Sequence, residues 1–464
     1  MLMPRVDGLS RGAEYRAQLS GCRVTVVGLG LSGVAASRLL LNLGAVVTAT
    51  DEKPFDALRA EARALQAQGV SLYSGAHPPE AFESAEIIVL SPGVPAGYPA
   101  LARARALGVS IIGELELAWR VMEADVIAIT GTNGKTTTTA LTGALLGQQS
   151  RPVLVGGNIG RPLSAHALDF PADGFAVVEV SSFQLETIQT FRPRVAAVLN
   201  LTADHLDRHG TFQDYVDAKA RIFENQTEAD IAVLNADDPV TQTLDRRTRA
   251  RAVFFSRRRT LPRGVFCDDG WIVARLNGHE ERVCPLNLIF LRGQHNVENV
   301  LAAVACALWT GVAPERLRAA IAAFRGVEHR IEWVRQILGV AFYNDSKGTN
   351  VASTIKAIES FTEPIILIAG GKGKGQDFSR LADAARGRVS RAIVIGEDRE
   401  KIRRALSPDV PVEPAESMEE AVGKACSLAR PGDVVLLSPA CASFDMFDNF
   451  EHRGRVFKAL VQAL

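Results

Sequence analysis

Ile127-Ala-Ile-Thr-Gly-Thr-Asn-Gly-Lys-Thr-Thr-Thr-Thr-Ala-Leu141 passes from an apolar strand through a glycine loop into a helix. Gly131 and Gly134 let backbone N–H groups turn toward an anion, and a helix beginning near Lys135 adds its positive dipole end. Lys135 supplies a mobile charge for β- and γ-phosphates, and Thr136 a hydroxyl for Mg²⁺. This is a phosphate-binding loop of shortened spacing. The usual pattern has glycine five positions before Gly134, where this chain has Ile129. A chance Gly-Lys-Thr in a bland turn would need neither the strand before it nor the helix after it.

Outward from that loop the chain repeats one theme. Short Val/Ile/Leu runs alternate with amphipathic helical stretches, which is the signature of parallel α/β sheets. The first block has strands at Arg23–Val27, Val46–Thr50, Ile87–Leu90 and Val109–Ile112. The second, opened by the phosphate loop, has Ala176–Val180, Val195–Leu199 and Ile231–Leu234. The third has Val340–Asn344, Ile365–Ala369, Arg391–Ile395 and Asp433–Leu437. The expectation is three α/β domains at 1–113, 114–326 and 327–464: a Rossmann-like N-terminal domain, a P-loop ATPase-like central domain and a Rossmann-like C-terminal domain. A chain of 464 residues is too long for one core.

Composition excludes several classes. With 47% hydrophobic and 22% charged residues, and 52 basic against 52 acidic side chains, no global field recruits nucleic acid or an anionic membrane. Arg257-Arg258-Arg259 is the densest basic run and reads as a solvated loop. Six scattered cysteines without a Cys-x-x-Cys pair argue against zinc ribbons and disulfide scaffolds. No apolar stretch reaches the roughly 20 residues of a membrane span. The expectations are a cytoplasmic protein, no nucleic-acid or membrane partner, and a monomer.

Gly28-Leu-Gly-Leu-Ser-Gly33 follows a strand, and Asp51 ends the next one. This is a dinucleotide fingerprint, but the loop recognises a diphosphate and a ribose, so NAD and a UDP-linked ligand both fit. Ser91-Pro-Gly93 adds a turn at the same sheet edge. A dehydrogenase would leave the phosphate loop unexplained. Beyond that loop, Glu179 ends a strand and His205 follows another, in Asn200-Leu-Thr-Ala-Asp-His-Leu-Asp207. A carboxylate and an imidazole suit Mg²⁺ with room left for phosphate oxygens and water. Lys219 lies in an amphipathic helix, where the pattern alone reads it as a solvated residue.

Together these segments resemble the Mur ligases, ATP-dependent amino-acid ligases of peptidoglycan precursor synthesis, from about Arg23 onward. Gly131, Thr132, Asn133, Gly134, Lys135, Thr136 and Thr137 resemble the family's ATP loop, shortened spacing included. His295-Asn-Val-Glu-Asn299 is similar to its adenine-contacting segment, which implicates Asn296 and Asn299. His329-Arg330 resembles the pair in which arginine reaches ATP phosphate. Asn344-Asp-Ser-Lys-Gly-Thr-Asn350 resembles a segment contacting ATP through Asp345 and Lys347. Ser181-Ser-Phe-Gln-Leu-Glu186, the first glycine loop and Ser438-Pro-Ala-Cys-Ala-Ser-Phe-Asp445 resemble the branch that adds D-glutamate.

The resemblance implies joining of D-glutamate to UDP-N-acetylmuramoyl-L-alanine through an acyl phosphate. The alternative is another Mur-type or folylpolyglutamate-type ligase. The resemblance to the D-glutamate-adding branch assigns Gly30, Leu31, Ser32, Gly33, Asp51, Ser91, Pro92 and Gly93 to the UDP portion. Asn158, Ser181 and Gln184 go to the muramoyl-alanine path, and Lys374, Ser443 and Phe450 to D-glutamate. Two Mg²⁺ ions are implied, held through Thr136, Glu179, His205 and a Lys219 carbamylated by CO₂. Lys135, Glu179, His205 and Lys219 are the catalytic set.

Overall fold

A computed structural model describes residues 10–276, 278–373 and 375–464. Two compact units make up the chain, Met1–Leu286 with Glu298–Ile321, and Asn287–Val297 with Ala322–Leu464.

The first unit carries two sheets. In one, β1 (Arg23–Val27), β2 (Val46–Asp51), β3 (Ser71–Ser74), β4 (Ile87–Leu90) and β5 (Ser110–Gly113) run parallel in the order β3-β2-β1-β4-β5. The order reverses at β1, so the crevice at its carboxyl end is where an open sheet receives ligands. The second sheet contains β6 (Asp125–Thr130), β7 (Val153–Gly157), β8 (Phe175–Glu179), β9 (Val195–Val198), β10 (Ile231–Asn235), β11 (Arg251–Ser256), β12 (Gly264–Asp268), β13 (Trp271–Leu276) and β14 (His279–Pro285). Their order is β14-β13-β12-β11-β10-β9-β6-β8-β7. β4, β8, β9 and β10 are buried along their whole length, as strands covered on both faces must be.

The second unit has one sheet. β15 (Glu332–Ile337), β16 (Val340–Asn344), β17 (Ile365–Gly370), β18 (Val389–Ile395), β19 (Val412–Pro414) and β20 (Val434–Leu437) take the order β15-β16-β20-β17-β18-β19. The parallel expectation needs amendment at two edges. β12, β13 and β14 pair antiparallel, as do β15 and β16. An antiparallel edge strand can keep one face wet, so β14 carries the run His279-Glu-Glu-Arg and lacks the apolar signature.

A single apolar cluster runs from Tyr15 to Ala250 through both sheets of the first unit. The helix Glu114–Val121 lies wholly inside it. Its Glu116 is tolerated because Arg120 and the backbone N–H groups of Gln189, Thr190 and Phe191 donate to it. The described residues before β1 are packed: Arg11 donates to the carbonyls of Met122 and Ala124, and Tyr15 is buried. Among the described residues no helix is long and apolar enough to cross a membrane.

Candidate functional site

The phosphate loop turns out of β6 into the helix Lys135–Leu146. Gly134 has φ +85°, and a Cβ there would run into Asn299 Oδ1, so the position requires glycine twice over. Asn200 clamps the loop from the end of β9. Its Oδ1 accepts from Asn133 N at 2.8 Å, and its Nδ2 donates to Asn133 O at 3.1 Å. Thr132 N donates to Asn200 O, and Thr132 Oγ1 meets the Tyr215 hydroxyl at 3.0 Å. Lys135 Nζ folds onto the carbonyls of Gly131 and Thr132, both at 2.8 Å. The N-terminus of the helix and a mobile ammonium thus stand together at a place for phosphate. Thr136 and Thr137 are buried behind them.

Beside this loop, β8 delivers Glu179. Asn158 Nδ2 donates to Glu179 Oε1 at 2.9 Å, and Asn158 N donates to Glu179 O. Glu179 Oε2 is buried with no hydrogen-bond partner. A buried carboxylate oxygen without a donor is costly unless a cation meets it, so the residues present fit Mg²⁺.

Lys219 is a correction to its solvated reading. It is 2% exposed, and Nζ donates to Gly131 O at 3.0 Å and Thr130 Oγ1 at 3.2 Å. Burial holds its pKa well below the usual lysine range, aided by Lys135, while Asp204 and Glu179 oppose the shift. Tyr215, one helical turn before it, puts its ring under the ammonium. The amphipathic pattern missed Lys219 because its apolar neighbours Tyr215, Val216 and Ala218 line the same buried side of the helix.

His205 caps the short helix Leu206–His209 with φ +53°, and its ring meets Phe183 edge-on. Ser181 and Gln184 hold one another in a capping box: Ser181 Oγ accepts from Gln184 N, and Gln184 Oε1 accepts from Ser181 N. His209, which the sequence reading did not single out, stacks on Phe183 and bonds Ser182 Oγ at 2.9 Å.

At the first glycine loop, Asp51 Oδ2 accepts from Leu29 N at 2.6 Å and Ser91 Oγ donates to Gly28 O at 2.7 Å. A Cβ on Gly33 would overlap Gly28 O, so the helix Leu31–Asn42 packs on its own loop only with glycine there. Gly30, Gly93 and the exposed Leu31 leave the crevice open on that side. Ser32 and Pro92 are half-buried.

In the second unit, Asp345 follows β16 with Oδ2 accepting from Ser438 Oγ at 2.7 Å. Burial raises its pKa to about 6, against the hydrogen bond from Ser438 and the charge of Arg330. Lys347 Nζ lies over the ring of Phe450, which meets His329 edge-on. Ser443 is buried, and Asn296 Nδ2 donates to Arg292 O. Lys374 lies outside the described residues.

Three family models match in order: the MurD-like N-terminal domain of Mur ligases over residues 22–113, the Mur ligase middle domain over 129–307, and the Mur ligase glutamate ligase domain over 329–441. Similar curated proteins include the UDP-N-acetylmuramoylalanine–D-glutamate ligase of Acidobacterium capsulatum, 49% identical over 96% of this chain and 97% of that protein. The enzyme of the same name from a Thermoanaerobacter strain is 46% identical over 96% and 99%. Among solved structures, the UDP-N-acetylmuramate–alanine ligase of Thermotoga maritima aligns at TM-score 0.59 and 20% identity, over 95% of this chain and 99% of that one, which shows a shared fold. Matched by three of its domain models in order and by a curated relative over 96% of its length, the chain belongs to the Mur ligase family.

Proposed function

We propose that this chain joins D-glutamate to UDP-N-acetylmuramoyl-L-alanine in peptidoglycan precursor synthesis, with ATP converted to ADP and phosphate. The observation that carries the reading is 49% identity to a ligase of that name along 96% of the chain, with Lys219 bonded to the phosphate loop and Glu179 in register with the strand that feeds it.

In this reading Gly131–Thr137 bind the ATP phosphates. Asn296 and Asn299 serve the adenine end, and Arg330, Asp345 and Lys347 also serve the nucleotide. Lys135 leaves its loop carbonyls for the phosphates and offsets their repulsion against the substrate carboxylate. That carboxylate takes the γ-phosphoryl group, giving an acyl phosphate. The D-glutamate amine then attacks the acyl carbon, phosphate leaves, and the amine gives up its proton. Thr136, Glu179, His205 and Lys219 would hold Mg²⁺, which supplies charge neutralisation between the reacting oxyanions. Asn158 keeps Glu179 turned toward that place. The depressed basicity of Lys219 supports its carbamylation: the neutral amine adds CO₂, forms an N–C bond and releases one proton. A repelled cation becomes an oxygen ligand.

The first glycine loop, Asp51, Ser91, Pro92 and Gly93 would hold UDP, Asn158, Ser181 and Gln184 the muramoyl-alanine portion, and Lys374, Ser443 and Phe450 D-glutamate. Domain limits at 1–113, 114–326 and 327–464, a monomer and a cytoplasmic location complete the proposal. Light scattering at a mass near 49.9 kDa tests the monomer. Phosphate release with ATP, Mg²⁺ and UDP-N-acetylmuramoyl-L-alanine tests the reaction. Release with D-glutamate, and not with L-glutamate or no amino acid, is expected. Release with a different amino acid only would retain the ligase and discard its acceptor.

A further inference from the structure

The turn that presents Arg330 is held under strain. His329 has φ +65° and Ile331 φ +44°, both in the left-handed region, and Ile331 is β-branched. Such residues are strained and persist only where their surroundings over-determine them. Here they do. His329 N donates to Glu332 Oε2 at 3.0 Å, and Ile331 N donates to Asp345 Oδ1 at 3.2 Å. Asn344 Nδ2 lies 2.9 Å from His329 Nδ1 and 3.0 Å from Glu332 Oε2. His329 itself is buried against Gly454, where a Cβ would overlap its ring.

Glu332 is therefore the hub, and it is a carboxylate 18% exposed at its side chain. Glu328, His329 and Glu332 bring ligand atoms within 4.8 Å of one another, a grouping that could hold a metal ion. A cation of the chain's own already stands there. Lys458, on the C-terminal helix Phe450–Ala463, reaches Glu332 Oε1 at 2.6 Å and Glu328 Oε1 at 3.0 Å. Its side chain is 22% exposed, whereas that of Glu328 is 58% exposed, so the contact with Glu332 is the shielded one and the contact with Glu328 lies at the rim.

We propose that Lys458 is a positioning residue for Arg330, an internal cation that fixes Glu332 and through it the strained turn aiming the guanidinium. The inference rests on the reading that Arg330 meets an ATP phosphate. Arginine has many rotamers, and a small misplacement of a phosphate-binding group can cost up to about a hundredfold in rate. A backbone locked on both sides of Arg330 fixes the direction in which its side chain leaves the chain before the nucleotide arrives.

The test uses the full chain and reads ATP binding directly, by displacement of a fluorescent ATP analogue, beside the KM values for ATP and for UDP-N-acetylmuramoyl-L-alanine. Lys458→Met is expected to weaken ATP about tenfold and leave the UDP-substrate KM within about twofold. Lys458→Arg should restore ATP affinity, and Glu328→Gln should stay within about twofold of the parent. Glu332→Gln, which weakens the same contact without removing a side-chain stem, should reproduce Lys458→Met and covers the case in which that variant does not fold. Unchanged ATP affinity in folded Lys458→Met or Glu332→Gln, or an equal rise in both KM values, overturns the proposal. Absence of ATP binding by the parent chain would instead overturn the ligase reading beneath it.

Discussion

Lys219 Nζ lies 3.0 Å from the carbonyl oxygen of Gly131, the residue at which the phosphate loop leaves its strand. An ammonium so placed is buried, near Lys135, and pushed toward its neutral form by both facts. Replacing it should therefore abolish ligation without harming the fold. Lys219→Ala is expected to lower turnover at least about a hundredfold, with a melting temperature within a few degrees of the parent. Near-normal turnover would remove the carbamate from the mechanism. In the parent, turnover should fall in CO₂-depleted buffer and return on adding bicarbonate.

Asp345 offers a pH test. Its carboxyl titrates near 6 in the folded chain, against an ordinary value of 3.8, chiefly because it is buried. Between about pH 4 and 6 the unfolded chain releases this proton while the folded chain keeps it. Stability therefore falls as pH rises through that window, and the full penalty applies above it. Asp345→Asn should remove this slope and stabilise the second unit at pH 7 by about 1–3 kcal/mol. The same change should raise the ATP KM, because a nucleotide contact is lost. Denaturant melts at pH 4, 5, 6 and 7 would show parallel curves for parent and variant if the assignment is wrong.

Which parts of this were legible in the chain follows from which signals are local. The phosphate loop, the Gly28–Gly33 turn and Glu179 are written in a few consecutive residues, because a strand, a glycine and an anion site are neighbours in sequence. Asn200 is different: its side chain seals the loop from 67 positions away, and nothing in Asn200-Leu-Thr announces that. Lys219 was hidden for a related reason, since a helix that buries almost all of one turn shows no polar stripe in which a lysine looks out of place. The edge strands β14 and β15 escaped because one wet face replaces the apolar run with charges. Lys458 lies 126 residues from Glu332 and carries no motif at all.

Asp51 should separate the two nucleotide sites. Its carboxylate receives Leu29 N at 2.6 Å and Lys53 N at 2.9 Å, so it shapes the first glycine loop as well as offering oxygens to a ribose. Asp51→Ala is expected to raise the UDP-substrate KM at least about tenfold and change the ATP KM less than about twofold. Equal effects on both would mean that the first loop does not hold UDP. Binding of NADH by the parent, read from its fluorescence, would revive the dinucleotide alternative.

Two carboxylates on one buried helix should respond in opposite directions. Glu116 accepts from Arg120 Nε at 2.7 Å, from three backbone N–H groups and from Thr190 Oγ1 at 2.6 Å. Glu114, two residues earlier and just as buried, has Ser164 N at 2.7 Å on Oε1 and nothing on Oε2, and Ser164 Oγ is unpartnered too. Burial raises the Glu114 pKa, opposed by the backbone hydrogen bond from Ser164. An acid raised on folding loses stability as pH climbs above the ordinary carboxylate range, so at pH 7 Glu114 is a cost. Glu114→Gln keeps the acceptor for Ser164 N, gives its amide a neighbour in Ser164 Oγ, and should stabilise the first unit by about 1 kcal/mol at pH 7. The gain should shrink as the pH is lowered. Glu116→Gln leaves the buried Arg120 without its counter-charge and should destabilise by about 3 kcal/mol. Thermal melts of the two variants at pH 5 and 7 decide the matter: a loss at both positions would mean that Glu114 is paired as well as Glu116 is.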